Sequence, residues 1–252
     1  MKKRAYLIAG IVCALLCVVF LIKALPGRRA PVEIIEPPVT DPADHDPIPV
    51  EPDPLPYESP VDFAAWQEKN PDVYAWLSIP GTQISYPVVQ HPSLDEYYLN
   101  HDATGAWAAA GALFTQATFN SLTFEDPVTV IYGHRQNDGT MFGDLQPLYL
   151  GDADFSQINE IVIYLPEGEQ HYQIFAAVPH SNEHILYMYD FSQKESYQKF
   201  LDGVYATADS AANFDMSAAA DVTDRLVILS TCLKTNRTNR FLVIGKLVEA
   251  LP

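Results

Sequence analysis

Residues 226–247 read LVILSTCLKTNRTNRFLVIGKL. Two apolar runs, Leu226–Thr231 and Phe241–Val248, flank a short polar loop, so the stretch predicts a β-hairpin. Cys232 closes the first run and Arg240 opens the second, which places both at the same end of the sheet. Lys234, Arg237 and Lys246 add positive charge nearby in sequence. Cations beside a thiol favour its ionised, nucleophilic form. Cys232 is also the only cysteine outside the first twenty residues. It therefore pairs with another chain, lies buried and inert, or attacks as a nucleophile.

Outward from this hairpin, further β-type runs occur at Ile84–Val89, Ala112–Thr115, Val128–Tyr132, Glu160–Leu165 and Gln170–Val178. Turn residues separate them, the pattern of an antiparallel barrel or sandwich. Upstream, VDFAAWQEKNPDVYAWLSIPGT reads as a helix followed by a second short helical turn. Phe63, Trp66, Tyr74 and Trp76 are its core-facing residues. One helix interrupts the later strands, SQKESYQKFLDGVYATA. Ser192 and Glu195 form a capping box there, and Tyr197, Phe200, Leu201 and Val204 supply an apolar face.

The N-terminus divides differently. Residues 1–4 carry Lys2, Lys3 and Arg4 and form a cytoplasmic tip. Residues 5–25 are an uncleaved transmembrane signal anchor, because the run Ala5–Ile22 is about long enough to span a bilayer. A cleaved signal peptide is the alternative. Residues 26–60 mix prolines with Asp and Glu and form a semi-rigid acidic stalk, and residues 61–252 form the globular domain. The localisation that follows is a single-pass membrane protein with its domain outside the cell.

The chain has 252 residues, 48% of them hydrophobic, and a formal net charge of −17. That acidity excludes nucleic-acid binding, which needs a basic surface, and reads as a solvated face. There is no phosphate-cradling glycine loop, no clustered Cys/His spacing and no regular calcium-ligand spacing, so no metal or cofactor is expected. A nucleophilic cysteine needs a proton-transfer partner. Of seven histidines, His134 stands out, because it ends the strand VTVIYGH directly after Gly133, which permits a sharp turn. His45 falls in the stalk, and His91, His101, His171, His180 and His184 are expected to be structural.

Together these blocks resemble a known family. LSTC, an arginine eight residues on, and then FLVIGKL resemble the active-site hairpin of sortases, the cysteine transpeptidases of Gram-positive surfaces. VIYGHRQNDGTMFGDLQPL resembles their histidine segment, and its GTMFGDL part, with YAWLSIPGTQISYPVVQ and YYLNHD upstream, is similar to class B. The resemblance covers roughly residues 61–248. It implies a mainly β protein: an eight-stranded sortase-type β-barrel with N-terminal helices and one inserted helix. By match, Cys232 is the nucleophile, His134 the acid/base and Arg240 the charge that stabilises substrate and oxyanion. Leu99, Ser230 and Thr231 match substrate-groove positions. Arg135, Leu233 and Lys234 depart from the residues commoner in the family.

The implied activity is cleavage of a C-terminal sorting motif of surface proteins through a thioacyl-enzyme, with transfer to a cell-wall amine, from peptidoglycan or a lipid-linked precursor. Alternatives are a pilin-polymerising sortase and a thiol peptide hydrolase. A tethered peptide-binding barrel without turnover is the non-enzymatic alternative.

Overall fold

The structure is a computed structural model that describes residues 57–154 and 156–252. The first described element is helix α1 (Phe63–Lys69). The Asp62 side chain caps it by accepting from Ala65 N at 3.0 Å. Asn70 and Pro71 stop it, since proline disfavours a helical residue before it.

The next stretch, VYAWLS, departs from the expected helical turn and forms strand β1 (Val73–Ser78). Ala75 and Leu77 are fully buried and Trp76 between them is not, a period of two that suits a strand. Trp76 instead packs on Trp66 of α1, ring centroids 5.6 Å apart, and donates from Nε1 to Ser85 Oγ at 2.8 Å. The aromatic spacing that looked helical is thus shared between a helix and a strand.

Strands β2 (Ser85–Val89), β3 (Leu113–Phe114), β4 (Val128–Tyr132), β5 (Glu160–Leu165), β6 (Gly168–His180), β7 (Asn213–Phe214), β8 (Leu226–Cys232) and β9 (Arg240–Leu251) follow. Neighbours run β5-β1-β2-β3-β4-β8-β9-β6, and a β5–β6 pairing closes the ring. The result is the expected eight-stranded barrel, with β7 added outside on β6. Two pairings are parallel, β2 with β3 and β4 with β8.

Along β8, alternate residues enter two different cores. Val227 and Leu229 face the barrel interior with Ile131, Phe241 and Val243. Leu226 and Ile228 face outward with Val130, Leu242 and Ile244. A strand buried on both faces reads as an unbroken apolar run, which is why LVIL was so legible. Helix α4 (Lys194–Tyr205) covers the outer face with Tyr197, Phe200, Leu201 and Val204, each 1–2% exposed. Each such side chain contributes about 1.5–3 kcal/mol by leaving water. The expected capping box does not form. Gln193 occupies the N-cap without a side-chain bond, and Ser192 Oγ donates instead to Asp190 Oδ1 at 2.6 Å. A nearby carboxylate therefore outcompetes the helix terminus for that hydroxyl. Two short helices, α2 (Leu145–Tyr149) and α3 (Ile185–Met188), lie in the loops after β4 and β6.

The expected single-pass membrane localisation is corrected. No helix among the described residues is long and apolar enough to cross a membrane. The longest, α4, has 12 residues and is about 18 Å long, short of the roughly 30 Å that a bilayer core requires. The segment on which the expectation rested, residues 5–25, lies outside the described residues, as does most of the expected stalk.

His171 illustrates how the barrel wall handles its histidines. Its ring bonds Glu160 Oε1 at 2.8 Å and Glu169 Oε1 at 3.0 Å. Burial lowers its pKa, but the two carboxylates outweigh that and hold it above the ordinary 6.5. A raised folded pKa means the folded state binds the proton more tightly. The stabilisation is then full below pH 6.5 and lost as pH rises through the folded pKa. His171→Gln is expected to remove this pH dependence, shifting the urea midpoint by about 0.2–0.5 M at pH 5.5 and little at pH 8.5. Equal shifts at both pH values count against the ion pairs.

Candidate active site

The hairpin register sets Cys232 directly opposite Arg240. An Arg240 Nη1 sits 3.7 Å from Cys232 Sγ, so a fixed positive charge touches the half-buried thiol. Lys234 and Arg237 are exposed in the hairpin loop. Lys246 pairs opposite Leu226, six residues or about 20 Å down the strand from Cys232. Of the four cations near in sequence, only Arg240 has its side chain on the sulfur.

His134 reaches the same edge by another route. β4 and β8 run parallel with Tyr132 opposite Ser230. Two residues further along each strand come His134 and Cys232, so both leave the sheet at one end. Gly133, between Tyr132 and His134, donates its N–H to Ser230 O at 3.1 Å. Its backbone is not in the left-handed region that a sharp turn would use. It is glycine because a Cβ would strike the side chains of Leu113 and Phe142, the latter at 2.6 Å. His134 Nε2 lies 2.8 Å from Leu99 O. A carbonyl only accepts, so Nε2 carries the proton and Nδ1 is the free basic nitrogen. Leu99 therefore fixes the tautomer and aim of His134 through its backbone.

Beside Arg240 runs a groove of about 140 Å³ lined by Leu99, Gln116, Tyr132, His184 and Ser230. Burial pushes the Tyr132 phenol well above its usual range, and its hydroxyl has no hydrogen-bond partner. It is a neutral donor awaiting an acceptor. Burial likewise pushes His184 below 6.5. His184 Nε2 is 2.8 Å from Gln116 Oε1, so the neutral ring donates there. Thr231 is not brought into this groove. It is 2% exposed, stands opposite Phe241, and its side chain points into the barrel with Leu229. Strand alternation carries that signal in the sequence: Ser230 and Cys232 share one face, and Thr231 takes the other. Among the described residues no group of three or more His, Cys, Asp or Glu is placed to hold a metal.

Gln146, on α2, had no role in the sequence. It is 5% exposed, and its amide binds both ways: Nε2 donates to Cys232 O at 3.0 Å and Oε1 accepts from Lys234 N at 2.9 Å. It clamps the backbone on either side of Leu233. No local pattern reveals it, because the contact joins segments 86 residues apart. Gln146→Leu would leave two backbone groups unpaired. The expected cost is about 1–3 kcal/mol of stability and about tenfold in kcat from a loosened nucleophile. Thermal unfolding and steady-state kinetics check this, and an unchanged kcat would make the clamp purely structural.

The family described as Sortase domain matches residues 77–248. Sortase B of Listeria monocytogenes is 33% identical over 186 residues, covering 72% of each chain. The solved Staphylococcus aureus sortase B–substrate complex is 27% identical with a TM-score of 0.63, covering 74% of this chain and 84% of that one. The X-ray structure of Clostridium perfringens sortase B, 24% identical with a TM-score of 0.64, supports the fold over 74% of this chain and 100% of that one. With a thiol, a guanidinium and a histidine brought to one edge of a closed barrel, the chain belongs to the sortase family, in class B, and is a sortase B-type cysteine transpeptidase.

Proposed function

We propose that residues 61–252 form a catalytic domain that cleaves a C-terminal sorting motif of surface proteins and transfers the acyl part to a cell-wall amine. The Cys232 sulfur attacks the carbonyl carbon of a Thr–Gly-type or Thr–Asn-type bond. As the sulfur attacks, its thiol proton passes to Nδ1 of His134; the carbon–nitrogen bond then breaks, and Nδ1 gives that proton to the leaving amine. A thioester to Cys232 remains. An incoming amine then attacks that thioester, the sulfur leaves, and His134 takes the proton back. Arg240 holds the developing oxyanion with a guanidinium that needs no reorganisation. Leu99 and Ser230 line the groove that receives the motif.

The observation that carries this reading is the 3.7 Å contact between Arg240 and Cys232, beside a groove lined by the Leu99 whose carbonyl holds His134. The Staphylococcus aureus sortase B–substrate complex to which the chain is similar supports the substrate-binding part of this reading. The test is a library of labelled sorting-type peptides, with and without an amine acceptor, followed by mass spectrometry. A Cys232 thioacyl adduct that converts to an amine-ligated product is expected. Cleavage with water alone, whatever amine is present, makes the chain a hydrolase. The absence of any adduct rejects the substrate class.

A further inference from the structure

The groove beside Arg240 does not end at His184. A second concavity of about 520 Å³ shares Glu96, Gln116 and His184 with it and adds Leu94, Asp95 and Tyr187. A third, of about 300 Å³, shares Phe119 and Tyr187 with the second and adds Asp126 and Asp190. The three join into one track floored by rings. His184 lies 5.0 Å from Phe119 and 4.7 Å from Tyr187, and those two meet edge to face at 4.7 Å.

Two features of the track are costly on a free surface. Tyr187 is 73% exposed and Leu94 56% exposed, so apolar area faces water along a line. In the second and third concavities the charged lining residues, Asp95, Glu96, Asp126 and Asp190, are all acidic. Among the described residues none of them is in an ion pair. Acidic walls over aromatic faces match one ligand chemistry: cationic side chains carried on an apolar, extended chain.

The chemistry of the reaction gives the direction. The acyl half of the substrate stays bonded to Cys232 while the amine half leaves. On the groove assignment of the proposed function, the groove beside Arg240 takes the residues on the N-terminal side of the scissile bond. A chain continued further in that direction passes His184 and enters the aromatic–acidic track. Six extended residues reach about 20 Å.

We propose that this track docks the substrate segment just N-terminal to the sorting motif and selects segments carrying lysine or arginine among apolar residues. The proposal rests on the groove assignment made above. It adds an affinity determinant outside the motif, which acts on KM and leaves the bond-breaking groups untouched.

The test uses the full chain and two fluorescent hexapeptides, Lys-Ala-Lys-Leu-Lys-Ala and Glu-Ala-Glu-Leu-Glu-Ala, titrated by anisotropy. The lysine peptide is expected to bind at least about tenfold more tightly at low ionic strength and to lose that advantage as salt screens the carboxylates. Tyr187→Ala and Asp95→Asn are each expected to weaken it about fivefold. Equal binding of the two peptides, or binding that ignores both substitutions, overturns the proposal. In a second arm each hexapeptide is fused N-terminally to a library peptide that the chain turns over. The lysine fusion is expected to lower KM at constant kcat, and Tyr187→Ala to erase that gain while the unextended peptide reacts as before. Turnover of the unextended peptide with no difference between fusions overturns the docking site and leaves the transpeptidase assignment standing. Binding of the lysine peptide with no library peptide ever reacting overturns the substrate reading, and with it the occupant named here.

Discussion

Cys232→Ala is expected to fold to the same barrel and to form neither adduct nor product, a loss of at least about 10⁴-fold in kcat/KM. The residue is half-buried at a strand end, so the change in stability stays within about 1 kcal/mol. Among the described residues no other free thiol is present to substitute for it. The measurement pairs intact-protein mass spectrometry after incubation with peptide against the thermal midpoint. Turnover retained in a folded variant removes Cys232 from the nucleophile role, whatever its contact with Arg240.

Arg240→Lys comes second in size. The side chain starts half-buried on β9 and reaches the sulfur with one arm of a planar fork. Arg240 also lines the groove together with Ser230 and Tyr132. A lysine keeps the charge and loses the fork, so it cannot hold a sulfur and an oxyanion together. The expected loss is about 10²–10³ in kcat, the usual value of one oxyanion donor, with KM changed much less. A near-normal kcat would show that charge alone suffices. A matching fall in thermal stability would make the effect structural.

The parts of this molecule legible in its sequence are those decided locally. LVILSTC and RFLVIG are apolar on both faces, and a short polar loop joins them, so the hairpin and the Cys232–Arg240 pairing followed directly. The helix at Tyr197–Val204 showed its apolar face at the right spacing. The sequence misled where partners far away decide. Tyr74 and Trp76 suit a helix or a strand, and pairing of β1 with β2 and β5 selects the strand. Ser192 is a different case, because a local competitor, Asp190 two residues earlier, took the hydroxyl that the cap needed. His134 was singled out for its place at a strand end. Its tautomer depends on a carbonyl 35 residues earlier, which no motif encodes. The acidic composition hid the aromatic–acidic track, because its members come from three separate loops that share no pattern.

The parallel pairing of β4 with β8 carries one more consequence. Its rungs, and the Gln146 clamp 86 residues from Cys232, are contacts that a growing or refolding chain makes only after long loops have closed. The hairpin alone can bring Arg240 to Cys232, but it cannot supply His134 or the clamp. Closure of the fold is therefore also what assembles the candidate site. Until the ring of strands shuts, the newly made chain carries the Cys232 thiol without His134 beside it, and the full site arrives together with native topology.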